Sequence, residues 1–174
     1  MSSAPMTRQE PDRTRSPAEW FCLLGGVSLA GAGIWGFFLG EIDWRTGDSL
    51  GGPEVLGLFE VNGWHNLVHV ATGALLLATM STTASARYGA LAFASAYALV
   101  TVWGFIDGND VANVIPVNTA DNVLHGALAG VGFLAYAASE TRAQTKPPSA
   151  RDREGRFGPA PVDEARPRER ARGL

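Results

Sequence analysis

The chain has 174 residues, enough for one domain, with 14 Lys/Arg, 17 Asp/Glu and a formal net charge of −3. Residues 1–19 and 140–174 together carry 21 of these charged side chains, whereas the 120 residues between them carry 10. This distribution argues against a soluble globular domain, and the basic residues form no patch with aromatics that would indicate nucleic-acid binding. A single cysteine, Cys22, rules out an intrachain disulfide and a cysteine-based zinc motif.

Four apolar stretches predict four membrane-spanning helices. Residues 20–40, 66–86, 88–106 and 122–139 contain no Asp, Glu, Lys or Arg. Each stretch is close to the roughly 20 residues that a helix needs to cross the hydrocarbon core. We therefore predict an all-α membrane protein, a four-transmembrane-helix bundle over residues 18–139, with spans at about 18–40, 62–85, 88–106 and 118–139.

The first apolar stretch resembles a secretory signal, because arginines precede it and Ser28-Leu29-Ala30 is an acceptable cleavage site. Its apolar run continues through Leu39, well past that site, and this favours an uncleaved span. Residues 1–17 and 140–174 are predicted to be disordered cytoplasmic tails, since their mixed charges and prolines leave too little apolar surface to offset the entropy of ordering.

Charge asymmetry predicts the orientation. Thirteen of the fourteen Lys/Arg lie in the amino tail, in the carboxyl tail or at Arg87 between the second and third spans. The two loops on the other side contain only Arg45. The positive-inside rule therefore predicts a multi-pass protein of the plasma membrane with both termini in the cytoplasm.

A sequence motif occurs twice. V-N-x-x-[HD]-N-x-x-H spans residues 61–69 and again residues 117–125, at an offset of 56. Trp35-Gly36-Phe37 near the end of the first span recurs as Trp103-Gly104-Phe105 near the end of the third. Two landmarks in the same order predict an internal duplication, with two parallel helical-hairpin repeats related by a pseudo-two-fold axis along the membrane normal.

The repeated motif predicts a polar cluster. Asn62 and Asn118 stand at helix N-cap positions, and Asp121 completes a capping box for the second copy. The remaining polar residues lie up to two turns deeper and, at about 100° per residue, share one face of each helix. If the two faces meet, the outer end of the bundle holds a cluster composed of Asn62, His65, Asn66, His69, Asn118, Asp121, Asn122 and His125.

Several interpretations of this cluster stay open. The simplest is an interhelical hydrogen-bond network that fixes helix packing, with no cofactor. The alternatives are a divalent metal held by His65, His69, Asp121 and His125, a haem between His69 and His125, or a path for protons or small solutes. The metal signal is weak because there is no HExxH motif, and no deeper ionisable residue on the second and fourth spans continues a path.

No catalytic residue is predicted, since no nucleophile with an adjacent base is recognisable, and we expect that the protein is not an enzyme. The predicted partner is the lipid bilayer. Spaced small residues such as Gly26/Ala30 and Gly126/Gly130 suit close helix packing, and such faces also permit a homo-oligomer or a membrane-protein partner.

Two segments carry a family resemblance: G-L-F-E-V-N-G-W-H-N-L-V-H at residues 57–69 and I-P-V-N-T-A-D-N-V-L-H at residues 115–125. They resemble the small four-helix bacterial integral membrane proteins of the domain-of-unknown-function 4383 family. The resemblance covers roughly residues 18–138. It implies four membrane helices in a bacterial inner membrane, and it implies no reaction, ligand or partner.

Overall fold

The structure, a computed structural model, describes residues 14–39, 42–47, 50–108 and 110–144, with side chains described up to residue 139. The tails predicted to be disordered lie almost entirely outside this described part. Within it, helices and short strands follow in the order α1 (Pro17–Leu39), β1 (Glu54–Val55), β2 (Phe59–Glu60), α2 (Gly63–Thr79), α3 (Thr83–Asp107), β3 (Asp110–Val111), β4 (Ile115–Pro116) and α4 (Thr119–Gln144).

Three helices of the described chain are long and apolar enough to cross a membrane: Pro17–Leu39, Thr83–Asp107 and the Thr119–Ser139 part of α4. Helix α2 has 17 residues, which gives it a length of about 26 Å at 1.5 Å per residue. Large apolar side chains stay uncovered on the long helices, among them Phe38 at 81% and Ile106 at 80% exposed. This pattern is typical of lipid-facing surfaces and identifies a membrane protein.

The turn between α2 and α3 differs from the prediction. The sequence predicts a second span that reaches residue 85, but α2 ends at Thr79 and α3 begins at Thr83. Thr82 is the N-cap of α3, because its hydroxyl accepts a hydrogen bond from the Ser85 N–H at 3.2 Å. The Ser85 hydroxyl in turn donates to the Thr79 carbonyl. Capping hydroxyls thus start a new helix inside a stretch that lacks charges.

Helices α1 and α2 form one antiparallel hairpin, and α3 and α4 form the second. In the first, the backbones approach closely at Gly73: a methyl group in place of its hydrogen would lie 2.5 Å from the Ala30 nitrogen and 2.8 Å from the Gly26 carbonyl oxygen. Such small-residue contacts are the usual means by which membrane helices pack. The predicted Gly26/Ala30 pair therefore serves packing within the chain.

Each connection from one helix to the next within a hairpin contains a two-stranded antiparallel β-ribbon, which the sequence reasoning did not predict. Strand β1 pairs with β2, and β3 with β4, in the same register. The first turn residues, Leu56 and Ala112, both have positive φ, 58° and 59°. Neither turn carries the Asn-Gly or Asp-Gly pair that usually marks such ribbons. We call the end of the two hairpins at which both ribbons lie the ribbon end.

A buried carboxylate, that of Glu19, lies at the end of the helices opposite the ribbon end. Glu19, 1% exposed, accepts hydrogen bonds from the Ser16 N–H at 2.8 Å and from the Thr83 hydroxyl at 3.2 Å. The Ser139 hydroxyl of α4 accepts a hydrogen bond from the Ala18 N–H at 2.8 Å. These hydrogen bonds join the start of α1 to both α3 and α4.

Candidate functional site

The eight residues predicted to form a polar cluster all lie at the ribbon end. Six of them are buried, while His69 and Asn118 are partly buried. Their contacts divide them into three groups: two capping asparagines with Asp121, two asparagines that face glycines, and three histidines. The first group holds the two hairpins together, and the last gathers at one point.

The two capping asparagines exchange hydrogen bonds between the two hairpins. Asn62 and Asn118 each accept the N–H of the residue three positions later, at 2.8 Å and 3.0 Å, as predicted for N-caps. Asn62 Nδ2 donates to the Val114 carbonyl at 2.9 Å, and Asn118 Nδ2 donates to the Leu58 carbonyl at 2.7 Å. Leu58 and Val114 occupy the same place in the two ribbons, so the exchange is reciprocal.

Asp121 adds a third connection. Its Oδ2 accepts from the Asn118 N–H at 3.0 Å, which confirms the predicted capping box, and also from the Glu60 N–H at 3.1 Å. The carboxylate thus accepts hydrogen bonds from backbone N–H groups of both hairpins. Burial raises the pKa of the Glu60 carboxyl, and the neighbouring Asp121 and Glu54 carboxylates raise it further. The three carboxyl groups therefore lie close enough together to repel one another when they are ionised.

The second pair of asparagines explains the repeated W-G-F landmark. The space beside Gly36 is filled by the Asn66 side chain, and the space beside Gly104 is filled by the Asn122 side chain. A methyl group at either glycine would collide with the asparagine oxygen. Both the glycine and the asparagine are repeated features of the sequence, but no local pattern indicates that they touch, because they lie on different helices of each hairpin.

The three histidines form a compact group to which both hairpins contribute. Ring centroids of His65 and His69 on α2 are 4.5 Å apart, and those of His125 on α4 lie 5.7 Å and 5.9 Å from them. One nitrogen from each ring lies within 4.8 Å of the other two. His65 and His125 are only 2% and 4% exposed. The structure thus brings together three of the four predicted metal ligands and places Asp121 outside the group.

The hydrogen bonds of His65 fix its tautomer. Its Nδ1 lies 3.0 Å from the Glu60 carbonyl oxygen and 3.1 Å from the Pro116 carbonyl oxygen. Because both partners are acceptors, Nδ1 must carry the hydrogen. The lone pair of the neutral ring is therefore on Nε2. Glu60 and Pro116 are equivalent ribbon positions, so each repeat supplies one of the two acceptors.

Three imidazole nitrogens have no hydrogen-bond partner within the described chain although they are buried: His65 Nε2, His69 Nε2 and His125 Nδ1. A buried polar atom without a partner costs about 1–3 kcal/mol. Beside His125, the Tyr97 ring packs edge-on at 5.2 Å, and the Tyr97 hydroxyl lies 3.1 Å from the Thr72 hydroxyl. Tyr97 therefore has its own partner. A group of three histidines, each with a buried ring nitrogen that has no hydrogen-bond partner in the described chain, could hold a metal ion.

A sequence model of one protein family, described as "Domain of unknown function (DUF4383)", matches residues 44–138, more than half of the chain. The chain belongs to the DUF4383 family. The resemblance inferred from the two motif copies is thereby confirmed, and the DUF4383 region contains both ribbons and all eight cluster residues. Neither the curated proteins nor the solved structures contained a match to this chain.

Proposed function

We propose that this DUF4383 protein is a four-span protein of a bacterial plasma membrane, built from two helical-hairpin repeats, whose three histidines bind one transition-metal ion at the ribbon end. The observation that carries the metal site is the gathering of three histidines, each with a buried ring nitrogen that has no hydrogen-bond partner in the described chain. Asn62, Asn118 and Asp121 form the hydrogen-bond network that the sequence favoured for the whole cluster. The proposal assigns no catalysis to this site.

Chain connectivity supports a fourth crossing by α2. The reciprocal asparagine bonds put both ribbons at the same end of the bundle. Helix α2 starts directly after the first ribbon, and only residues 80–82 separate its end from α3, which must run back to the second ribbon. Helix α2 therefore connects the same two ends of the molecule as its neighbours, although it is shorter than they are. Its few missing residues cost fractions of a kcal/mol per Å of mismatch.

Three correspondences support the duplication. Both ribbons have equivalent turns at an offset of 56, both capping asparagines reach the opposite ribbon, and both W-G-F glycines hold an asparagine of the following helix. Unrelated segments would not share all three contacts in the same order. Both repeats run the same way through the membrane, as expected for an axis along the membrane normal.

The proposed orientation puts the ribbon end outside the cytoplasm. Alkaline-phosphatase fusions after residue 50, in the first ribbon connection, are expected to be active, because the enzyme folds only after export. Fusions after residue 82, in the α2–α3 turn, are expected to be inactive since Arg87 follows it on the positive side. Matched fusions to a cytoplasmic reporter should give the opposite pattern, and activity after residue 82 without activity after residue 50 would invert the topology.

A metal ion accounts for the histidines better than hydrogen bonding does. In a structural network the ring nitrogens would pair with each other or with neighbouring groups, as the asparagines do. A ligand set has the opposite need, because each ring must keep one lone pair available. His65 meets it, since its other nitrogen donates to backbone carbonyls as second-shell contacts of metal-binding histidines commonly do.

The packing of the rings favours a single ion over a haem. His69 and His125 face each other at 5.9 Å between centroids, and His65 lies 4.5 Å and 5.7 Å from them. The His65 ring therefore occupies the space that a planar macrocycle would need between His69 and His125. In a tetrahedral site with bonds of about 2.0–2.1 Å, ligand nitrogens are about 3.3 Å apart. Rotation of the rings closes the separation of up to 4.8 Å to that value.

Three neutral imidazoles select borderline transition metals such as zinc, copper, nickel or cobalt over magnesium and calcium, which prefer oxygen ligands. The surrounding loops favour capture of a cation, because the described ribbon connections carry Asp43, Glu54, Glu60 and Asp110 against a single cation, Arg45.

The metal content of detergent-purified full-length protein tests the proposal. After loading with zinc and desalting, mass spectrometry is expected to find about one zinc per wild-type chain and less than about one tenth of that in His69→Ala/His125→Ala, because one lone pair cannot retain the ion. Tyr97→Phe is the matched control: it alters a ring packed on His125 without removing a ligand and should retain the metal.

Circular dichroism and gel filtration should first show that the double variant keeps its helical content and size. Wild-type protein that retains no zinc, copper, nickel or cobalt would contradict the metal site. So would a folded double variant that keeps its metal. Either outcome would leave the histidines as packing residues and would not affect the topology.

A further inference from the structure

We infer that the metal centre has one coordination position open to a small monovalent anion from outside the chain. This inference rests on the function proposed above. The first ground is the number of ligands. In the described part of the chain, the group that could hold an ion contains His65, His69 and His125 and no carboxylate or thiolate. Structural zinc sites have four protein ligands, whereas sites with three keep a position for water or another ligand.

The nearest carboxylate is engaged elsewhere. Asp121 Oδ2 accepts two backbone hydrogen bonds, from Asn118 and from Glu60, and the side chain is 3% exposed. Asp121 lies outside the histidine group, and a movement of its side chain toward the histidines would draw Oδ2 away from these donors and disrupt the capping box of α4. Each abandoned hydrogen bond to a carboxylate costs about 1.5–3 kcal/mol. The capping role thus keeps Asp121 out of the set of metal ligands.

The charge of the centre requires compensation. Three neutral imidazoles add no negative charge, and the Tyr97 ring and the Thr72 hydroxyl beside them carry none. The Asp121 carboxylate, which binds the backbone of Glu60 as His65 does, balances at most one of the two charges of a bound dication. An uncompensated charge in such surroundings is costly, and an anion in direct contact lowers the cost. Metal-bound hydroxide or an exogenous monoanion supplies one negative charge in the smallest volume.

Space and long-range charge limit the anion. The three rings lie 4.5–5.9 Å apart between centroids, so the position between them accepts a few atoms. The acidic ribbon connections disfavour multiply charged anions, because Glu60 and Glu54 lie in the adjacent ribbon. His69 is the one ligand of the three that is only partly buried, and entry is expected on its side of α2. Hydroxide, azide and thiocyanate fit these limits, whereas phosphate and carboxylates with a side chain do not.

Cobalt and azide provide the test. Full-length protein in detergent is loaded with Co²⁺, whose visible absorption reports coordination, and is then titrated with sodium azide. We expect a saturable change in the cobalt bands with one azide per cobalt, and no saturable change with sodium phosphate at the same ionic strength. Tyr97→Phe should respond as the wild type does, because it keeps all three ligands.

The outcomes separate the two proposals. Failure to bind cobalt overturns the metal centre and this inference with it. Bound cobalt whose spectrum ignores azide overturns only the open position. In that case Asp121→Asn identifies the cause: a gain of azide sensitivity in this variant would show that the Asp121 carboxylate fills the fourth position.

Discussion

Gly73→Ala is expected to lower the free energy of unfolding by about 2 kcal/mol. The added methyl would lie 2.5 Å from the Ala30 nitrogen and 2.9 Å from its Cβ, and the Gly26 carbonyl oxygen is at 2.8 Å. These are mostly backbone atoms, so no change of rotamer relieves the contact and the helices of the first hairpin must separate. Overpacking of this kind costs up to about 3 kcal/mol, while the better helix propensity of alanine returns about 1 kcal/mol.

The measurement is thermal or denaturant unfolding in detergent. Gly31→Ala is the matched control, because Gly31 lies on the partner helix with no atom within 4 Å of an added methyl. It gains the same helix propensity without the clash and should be neutral or slightly stabilising. Equal effects of the two variants would contradict the close approach of α1 and α2 at Gly73.

Asn62→Ala is expected to cost about 3 kcal/mol. It removes the N-cap of α2, worth about 1 kcal/mol, and it leaves the Val114 carbonyl of the other repeat without its donor, which costs about 1–3 kcal/mol when the group is buried. Asn62 is 1% exposed, so water does not replace the lost amide. The same unfolding measurement reports the loss.

Asn62→Ser separates the two contributions. Serine is a good N-cap but is too short to reach the Val114 carbonyl, so it should recover about 1 kcal/mol and no more. Asn118→Ala provides the comparison in the second repeat. Because Asn118 is only partly buried, its loss should cost less than that of Asn62. Full recovery by serine would show that the bond between the repeats contributes nothing.

The sequence predicts much of the ribbon end because local rules govern it. Asn62, Asn118 and Asp121 were assigned as capping residues from their types and spacing alone, and the structure confirms all three. His65 and His69, which are four positions apart on α2, lie together because they share one face of the helix. These features depend on residues three or four positions apart, where helix geometry leaves little freedom.

Contacts between segments that are far apart in the sequence cannot be predicted from local patterns. No local pattern indicates that Asn118 binds the carbonyl of Leu58, or that Asp121 is held by the Glu60 N–H and so stands outside the histidine group. The two-residue strands were missed because such short ribbons have almost no alternating pattern. The end of α2 at Thr79 depends on a serine and threonine cap inside an uncharged run, which hydropathy cannot resolve.

The reciprocal asparagine bonds have an evolutionary consequence. An exchange in which one hairpin gives what it receives is isologous, the type of contact that joins two identical subunits about a two-fold axis. Under the duplication proposed here, a single ancestral hairpin was able to dimerise through the same bonds. His69 and His125 then occupy equivalent positions in the two copies. The position equivalent to His65 is occupied by Asp121. In that scheme, fusion of the two copies would allow this position to diverge, with an aspartate of the capping box in one half and a third imidazole in the other.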